Sequence, residues 1–208
     1  MKKKDLIVET LNKMFPNPKS DLNYTNNFEM LIAVVLSAQT TDVSVNKVTP
    51  ALFNKYPDPK ALMNAEIIDL ENIIKTIGLY KTKAKNIKKL SEILHDKYNS
   101  EIPSKRVDLE SLPGVGRKTA NVVLANAFGE NVIAVDTHVN RVSKRLGIAE
   151  ESDNILEVEK KIVDYFAQDD LKKLHHQLIF FGRYHCLARN PKCENCPLQK
   201  VCVFYKNL

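Results

Sequence analysis

Apolar residues recur every three or four positions along most of the chain, which is the spacing of one face of an α-helix. Clear examples run from Phe28 to Leu36, from Leu70 to Ile77, from Ala84 to Leu94 and from Ala120 to Ala127. No comparable run alternates strictly between apolar and polar residues, as a half-buried strand would. The pattern predicts an all-α protein with about nine or ten helices.

Glycine and proline indicate where these helices should end. Four of the six glycines follow the last apolar residue of a helical segment and predict left-handed helix ends: Gly78, Gly129, Gly147 and Gly182. Pro50 falls inside an otherwise helical segment, where we expect a kink or a break.

The composition of the 208 residues, 44% hydrophobic and 27% charged, is that of an ordinary globular protein and not of a disordered or fibrous one. The net charge of +6 favours a polyanionic partner, with nucleic acid ahead of an anionic membrane surface. Residues 75–106 alone hold nine Lys or Arg against three Asp or Glu, and this excess predicts a DNA-binding face.

Neither a membrane span nor an export signal is expected. The longest apolar stretch, Leu31 to Ala38, is far shorter than the roughly 18 to 20 residues that cross a bilayer. Asp5, Glu9 and Lys13 interrupt any apolar core of a signal peptide. We therefore expect a cytoplasmic protein that is not secreted, associated with the nucleoid if the source is bacterial.

A short glycine motif precedes one of the strongest helical segments. Pro113, Gly114, Val115 and Gly116 form a tight turn whose backbone N–H groups, with the helix dipole behind them, can hold a phosphate. The glycine spacing is not that of a nucleotide-binding loop of the Walker type. A plain turn between two helices remains the alternative.

Lys118 and Asp136 are the candidate catalytic residues. The positive end of the helix dipole and the adjacent Arg117 disfavour the charged form of Lys118, and a neutral amine can form a Schiff base. A lysine that only pairs with a phosphate would have the same spacing. Asp136 precedes a helical segment, so it either caps that helix or stabilises developing positive charge.

All four cysteines of the chain fall within seventeen residues: Cys186, Cys193, Cys196 and Cys202. In a reducing compartment such clustering predicts a metal site and not a disulfide framework. Four thiolates bind either zinc or an iron-sulfur cluster, and the single short Cys-x-x-Cys pair favours the larger cluster. Arg189 and Lys192 make the intervening loop basic.

Five segments together resemble the endonuclease III family of helix-hairpin-helix base-excision glycosylases: 36–47, 74–87, 112–129, 134–145 and the cysteine tail. The resemblance implies a six-helix domain over 22–131, with the helix-hairpin-helix at about 106–127. It also implies a cluster domain formed by 1–21 and 132–208, with a 4Fe-4S loop at 186–202. The active site is expected in the cleft between two interlocked domains.

The resemblance also implies the activity and the residues that perform it. The enzyme would be a bifunctional DNA N-glycosylase and abasic-site lyase that removes oxidised pyrimidines from double-stranded DNA, through a Schiff base on Lys118 assisted by Asp136. Gln39 would fill the gap left by the extruded nucleotide, and Leu79 would wedge the opposite strand. A monomer is expected.

Two other functions stay open at this stage. An adenine-specific mismatch glycosylase shares the hairpin, the aspartate and the cluster, but it lacks a lysine at the position of Lys118 and carries a further C-terminal domain. A non-catalytic helix-hairpin-helix module that binds DNA is the second alternative.

Overall fold

The structure is a computed structural model that describes residues 2–208, and within them it contains α-helices and no β-strand. The α-helices, numbered in chain order, are α1 Lys3–Met14, α2 Asn27–Leu36, α3 Asp42–Lys55, α4 Pro59–Met63, α5 Ile67–Ile74, α6 Tyr80–Tyr98, α7 Arg106–Glu110, α8 Arg117–Ala127, α9 Thr137–Arg145, α10 Ile155–Tyr165, α11 Leu171–Tyr184 and α12 Val203–Lys206. The all-α prediction is confirmed. The described residues hold twelve α-helices, more than expected, because four- and five-residue helices show no full period.

The chain divides into two compact units. One unit spans Ser20–Gly129 and contains α2 to α8. The other combines the N-terminal residues up to Lys19 with Glu130–Leu208, and it contains α1 and α9 to α12. Within residues 2–208, no helix has the length and apolar character that crossing a membrane requires.

Helix α2 lies at the centre of the Ser20–Gly129 unit. Every residue from Met30 to Leu36 is buried, and α2 packs against α3, α6 and α8. Asn26 caps α2 by accepting a hydrogen bond from the Glu29 backbone N–H at 2.9 Å. The apolar residues of α2 therefore form a core against which α6 and α8 pack. Helix α6 follows Leu79, and α8 follows the glycine motif at 113–116.

The second unit is built around α9 and α11. Helix α11 packs against α9 and α1, and α9 also contacts α10 and α12. Its hydrophobic core includes the fully buried side chains of Leu11, Val139, Phe166 and Leu178. This core carries both the start of α9, where Asp136 lies, and the end of α11, from which the cysteine segment continues.

The sequence prediction of a helix end at Gly182 is wrong, and the break that was one of the two outcomes expected at Pro50 does not occur. Gly182 lies inside α11, and a Cβ at this position would come within 2.9 Å of the His138 Cβ, so the glycine permits close packing of α9 on α11. Pro50 does not break α3, which runs unbroken from Asp42 to Lys55. The buried Val48 and Leu52 on either side hold this stretch in the core and offset the lost backbone hydrogen bond.

Candidate active site and metal centre

The glycine motif forms a hairpin between α7 and α8. Gly114 has a φ of +81°, a left-handed conformation that side chains disfavour, while Val115 is buried and anchors the turn. Gly116 caps α8 with no side chain, so no side-chain oxygen of the cap covers the first N–H groups of the helix. A Cβ on Gly116 would meet nothing within 4 Å, which leaves the backbone open to a ligand.

Helix α7 is fastened to α8 beside this hairpin. The Arg106 guanidinium donates a hydrogen bond to Oδ1 of Asn121, whose side chain is buried on α8. The bond holds the two helices in one arrangement and so fixes the turn that joins them.

Lys118 is the second residue of α8 and is exposed. It belongs to the same unit as the hairpin, and its amine stands on the first turn of a helix whose N-terminal N–H groups attract anions. This position places an exposed primary amine, the candidate nucleophile, beside a candidate phosphate-binding turn.

Asp136 caps α9 in the other unit. Its Oδ1 accepts a hydrogen bond from the Val139 backbone N–H at 2.7 Å, and the residue is half-buried after the buried stretch that ends at Val135. Burial lowers the pKa of the neighbouring His138, while the Asp136 carboxylate acts in the opposite direction. Asp136 is therefore a capping residue, and its carboxylate charge is available for a second role.

Gln39 and Leu79 share an unusual backbone conformation. Gln39 lies between α2 and α3 with a φ of 54°, and Leu79 lies directly before α6 with a φ of 58°. Both residues are exposed, and Leu79 keeps 60% of its surface accessible. The left-handed turn predicted at Gly78 thus occurs one residue later, at Leu79. Such strain in non-glycine residues persists only where the surrounding structure enforces it.

The basic stretch from 75 to 106 is less available to DNA than its charge suggests. Lys83 is buried, Lys88 donates a hydrogen bond to the Ala65 carbonyl at 2.6 Å, and Lys89 pairs with Glu92 at 2.7 Å. Lys83 and Lys88 therefore bond within the protein, whereas Lys89 stays exposed in a surface pair; the sequence alone does not distinguish these cases.

The four cysteines follow α11 and lie around one cavity, which they line together with Arg145, His185 and Gln199. Burial raises the pKa of the Cys193 thiol, and the nearby thiols of Cys186 and Cys202 raise it further. Four sulfur donors that line one cavity are suited to binding a single positively charged group. The donor set therefore fits an iron-sulfur cluster, whose ligands are thiolates.

Arg145, at the end of α9, holds the segment that follows Cys186. Its guanidinium donates hydrogen bonds to the Leu187 carbonyl at 2.7 Å and to the Ala188 carbonyl at 3.1 Å. It also donates to the Cys186 Sγ at 3.3 Å and stacks over the Phe204 ring. This role of Arg145 cannot be predicted from the sequence, because nothing in the local pattern connects it to a cysteine forty-one positions later.

The loop between Cys186 and Cys193 carries Arg189 and Lys192, both exposed. The Lys192 backbone N–H donates to the His185 carbonyl at 3.1 Å, which closes the loop at its base. The cysteine segment thus carries two exposed cations, Arg189 and Lys192, on a short loop closed by a backbone hydrogen bond.

Sequence models of two families match the chain. Residues 32–168 match the HhH-GPD superfamily base excision DNA repair protein, and residues 186–202 match the iron-sulfur binding domain of endonuclease III. The second match begins and ends at the first and last of the four cysteines.

Curated proteins and solved structures give the same result. The chain is 50% identical to endonuclease III of Bacillus subtilis (97% of this chain, 92% of that protein) and 46% identical to that of Escherichia coli K12 (95% and 93%). A solved structure of a trapped endonuclease III–DNA covalent intermediate matches with a TM-score of 0.92 and 50% identity, covering 100% of this chain and 98% of that one. A thermostable thymine-DNA glycosylase, 24% identical over 99% and 98% of the two chains, shares the fold with a TM-score of 0.89.

Proposed function

Because the chain belongs to the HhH-GPD superfamily of base excision DNA repair proteins, and within it to the endonuclease III family, we propose that Lys118 and Asp136 carry out its chemistry. The protein is a DNA glycosylase and abasic-site lyase that acts on damaged double-stranded DNA, and it carries a 4Fe-4S cluster. Its preferred lesions under this proposal are oxidised pyrimidines, and the enzyme works as a monomer in the compartment that holds the chromosome, which in bacteria is the cytoplasm.

Lys118 is the proposed nucleophile. Its amine attacks C1' of the damaged nucleotide, the bond from C1' to the base breaks, and the base leaves with the bonding electrons. The amine then loses a proton, the bond from C1' to the ring oxygen breaks, and that oxygen takes up a proton; this opens the sugar and leaves an imine between C1' and Lys118. The imine acidifies the C2' hydrogen, and removal of that proton expels the 3' phosphate by β-elimination. A relative trapped as a covalent intermediate with DNA supports a nucleophilic route.

Asp136 is proposed to stabilise positive charge on the sugar as the base departs and to assist the proton transfers. Its carboxylate is held in place by the cap bond to Val139, so no reorganisation is needed when the charge develops. The capping bond and the catalytic role are compatible, because one is made by Oδ1 and the other uses the charge of the whole group.

The hairpin of Pro113, Gly114, Val115 and Gly116 is proposed to bind the DNA backbone. Open N–H groups at the start of α8 and a glycine surface with no Cβ in the way are the observations that support this role. Gln39 and Leu79 are proposed to enter the duplex at the lesion, which lowers the few kcal/mol that extrusion of a nucleotide requires. Arg189 and Lys192 add phosphate contacts.

Cys186, Cys193, Cys196 and Cys202 are proposed to hold the cluster. When bound, it joins these four residues through iron–thiolate bonds and so fixes the loop that carries Arg189 and Lys192. Arg145 contributes to the same end through its bonds to the loop carbonyls. The basic residues are thereby presented in a defined position.

The exposed amine of Lys118 beside an open hairpin is the observation that carries the proposal, and borohydride trapping tests it. The wild type should form a covalent adduct with duplex DNA containing an abasic site, and Lys118→Ala should form none. Lys172→Ala, which removes an exposed lysine from α11, is the matched control and should trap normally. A wild type that binds the duplex without trapping would indicate a non-catalytic module. Excision of adenine from a mismatch, without oxidised pyrimidines, would indicate the mismatch glycosylase.

Asp136 requires a variant that separates its two roles. Asparagine caps a helix about as well as aspartate, so Asp136→Asn should keep the unfolding free energy while base excision falls by about a hundredfold or more. Asp136→Ala should lose the activity and also about 0.5–2 kcal/mol of stability. Full excision activity in Asp136→Asn would show that the residue is only a cap.

A further inference from the structure

Gln39 and Leu79 come from loops forty residues apart in sequence, yet these loops lie against each other within the Ser20–Gly129 unit. A Cβ placed on Gly78, next to Leu79, would be 3.8 Å from the Gln39 carbonyl oxygen and 3.9 Å from the Thr40 hydroxyl. Both Gln39 and Leu79 are exposed and both are left-handed. Two strained, protruding residues are therefore presented side by side.

Lys83 connects the two loops. Its backbone N–H donates to the Leu79 carbonyl at 3.0 Å, which forms the first turn of α6. Its Nζ donates to the Thr40 hydroxyl at 2.6 Å, directly beside Gln39. One residue thus contacts the base of both protruding positions, through its main chain on one side and its side chain on the other.

The burial of Lys83 is unusual for a lysine. Only 4% of its surface is accessible, and burial lowers the pKa of its amine with no charged neighbour in residues 2–208 contributing to the shift. Burying an ammonium beside a neutral hydroxyl is unfavourable, and a methionine would fill the same space at lower cost. A lysine at this position therefore indicates a need for the directed bond to Thr40.

We propose that Lys83 is a positioning residue that holds Gln39 and Leu79 in their protruding arrangement before DNA binds; this rests on the proposed function of those two residues. Extrusion of a stacked nucleotide requires that the vacated space be filled at once. A pair of side chains already in place avoids the ordering that flexible loops would undergo during the reaction. Without the bond, the two loops are free to leave the left-handed conformation.

Two substrates of the same active site should respond differently to loss of the Lys83–Thr40 bond. A damaged base paired within a duplex must be extruded, whereas a preformed abasic site has no base to extrude. Loss of the Lys83–Thr40 bond should therefore slow base excision much more than strand cleavage at the abasic site. A lysine that only stabilised the fold would affect both substrates equally.

Single-turnover rates on both substrates test this. Lys83→Met and Thr40→Val should each lower the rate of base excision by about tenfold, which corresponds to about 1.4 kcal/mol, and lower abasic-site cleavage by less than about twofold. The double variant should be no slower than Lys83→Met alone, because both changes break the same bond. Thr40→Ser keeps the hydroxyl and should retain the wild-type ratio of the two rates.

Lys81→Met is the matched control, since it removes the same charge from an exposed position two residues away. It should leave the ratio of the two rates unchanged. If Lys83→Met fails to fold, Thr40→Val decides the question, because it removes the hydroxyl that accepts from Lys83 and keeps the side-chain volume; the other bond of this hydroxyl, to the Ala38 carbonyl, is long at 3.5 Å.

Equal losses on both substrates, no loss on either, or a wild-type ratio in Thr40→Val would overturn the proposal. Failure of the wild type to trap on abasic DNA would instead contradict the proposed function, so the two failures are distinct.

Discussion

Gly114 and Gly116 occupy neighbouring places in the hairpin, but the structure requires glycine at the two positions for different reasons. Gly114 is left-handed, and a Cβ there would lie 3.1 Å from both Val35 Cγ1 and Asn86 Nδ2. Gly116 has an ordinary φ of −97°, and a Cβ there would meet nothing within 4 Å. We therefore expect alanine at 114 to destabilise the fold and alanine at 116 to weaken DNA binding.

The magnitudes follow from these geometries. A left-handed alanine costs about 1–2 kcal/mol, and the tight contacts with Val35 and Asn86 act in the same direction. For a chain of this length the melting temperature of Gly114→Ala should fall by roughly 2–8 °C. In Gly116→Ala a poorer helix cap is offset by the lower entropy of the unfolded chain, so the unfolding free energy should change by less than about 0.5 kcal/mol.

Thermal unfolding of the cluster-loaded protein and binding to duplex DNA with a stable abasic-site analogue measure the two effects. One charge-assisted hydrogen bond to phosphate contributes about 1.5–3 kcal/mol, so its loss in Gly116→Ala should weaken binding by about tenfold or more. Unchanged affinity in Gly116→Ala would refute the phosphate-binding role of the hairpin. An unchanged melting temperature in Gly114→Ala would refute the strain argument.

Three further predictions concern the other unit. Arg145→Lys keeps the charge but loses the paired guanidinium donors to the cysteine loop, so we expect less cluster to be bound. The ratio of absorbance near 400 nm to that at 280 nm, which reports cluster content, should fall. A wild-type ratio would show that the paired hydrogen bonds are not needed. The Lys161 hydrogen bond holds the pKa of Asp153 below its usual value, so this carboxylate stabilises the fold above its unfolded pKa of 3.8, and the stabilisation is lost as pH falls through the lower folded pKa. The stability difference between wild type and Asp153→Asn, measured by denaturant unfolding, should be constant from neutral pH to about 5 and should disappear at lower pH; a difference that persists would contradict the ion pair. In Gly182→Ala the new Cβ would lie 2.9 Å from the His138 Cβ, which should lower the unfolding free energy by about 1–3 kcal/mol. The gain in helix propensity offsets about 1 kcal/mol of this loss. A higher melting temperature would show that α9 and α11 can separate without penalty.

The helices and the hairpin could be predicted from the sequence because their signals are local. Apolar periodicity marks α2, α6 and α8, and the residues that end or cap them lie within a few positions. Asn26 and Asp136 act as helix caps in the structure, as their side-chain chemistry suggests. The cysteine spacing is equally local and predicts a metal site, whereas the choice of a 4Fe-4S cluster depends on the resemblance to the endonuclease III family.

The errors occur where a residue's role depends on a distant part of the chain. Gly182 has the sequence context of a helix end, but its function is set by His138 on another helix. Pro50 has the context of a helix break, but the core on both sides keeps α3 continuous. Neither contact can be derived from a one-dimensional pattern, because it depends on which faces meet after folding.

Contacts with distant parts of the chain also make the net charge a poor measure of the surface available to DNA. Three long basic side chains bond to other parts of the chain: Lys83 to Thr40 beside Gln39, Arg106 to the Asn121 side chain on α8, and Arg145 to the Leu187 carbonyl in the cysteine loop. Irregular segments leave carbonyl and hydroxyl acceptors without regular partners, and a flexible cation with several donors can reach them where a short side chain cannot. Because the donors of these three cations are engaged within the protein, we expect their replacement to change the rate of base excision more than the salt dependence of DNA binding.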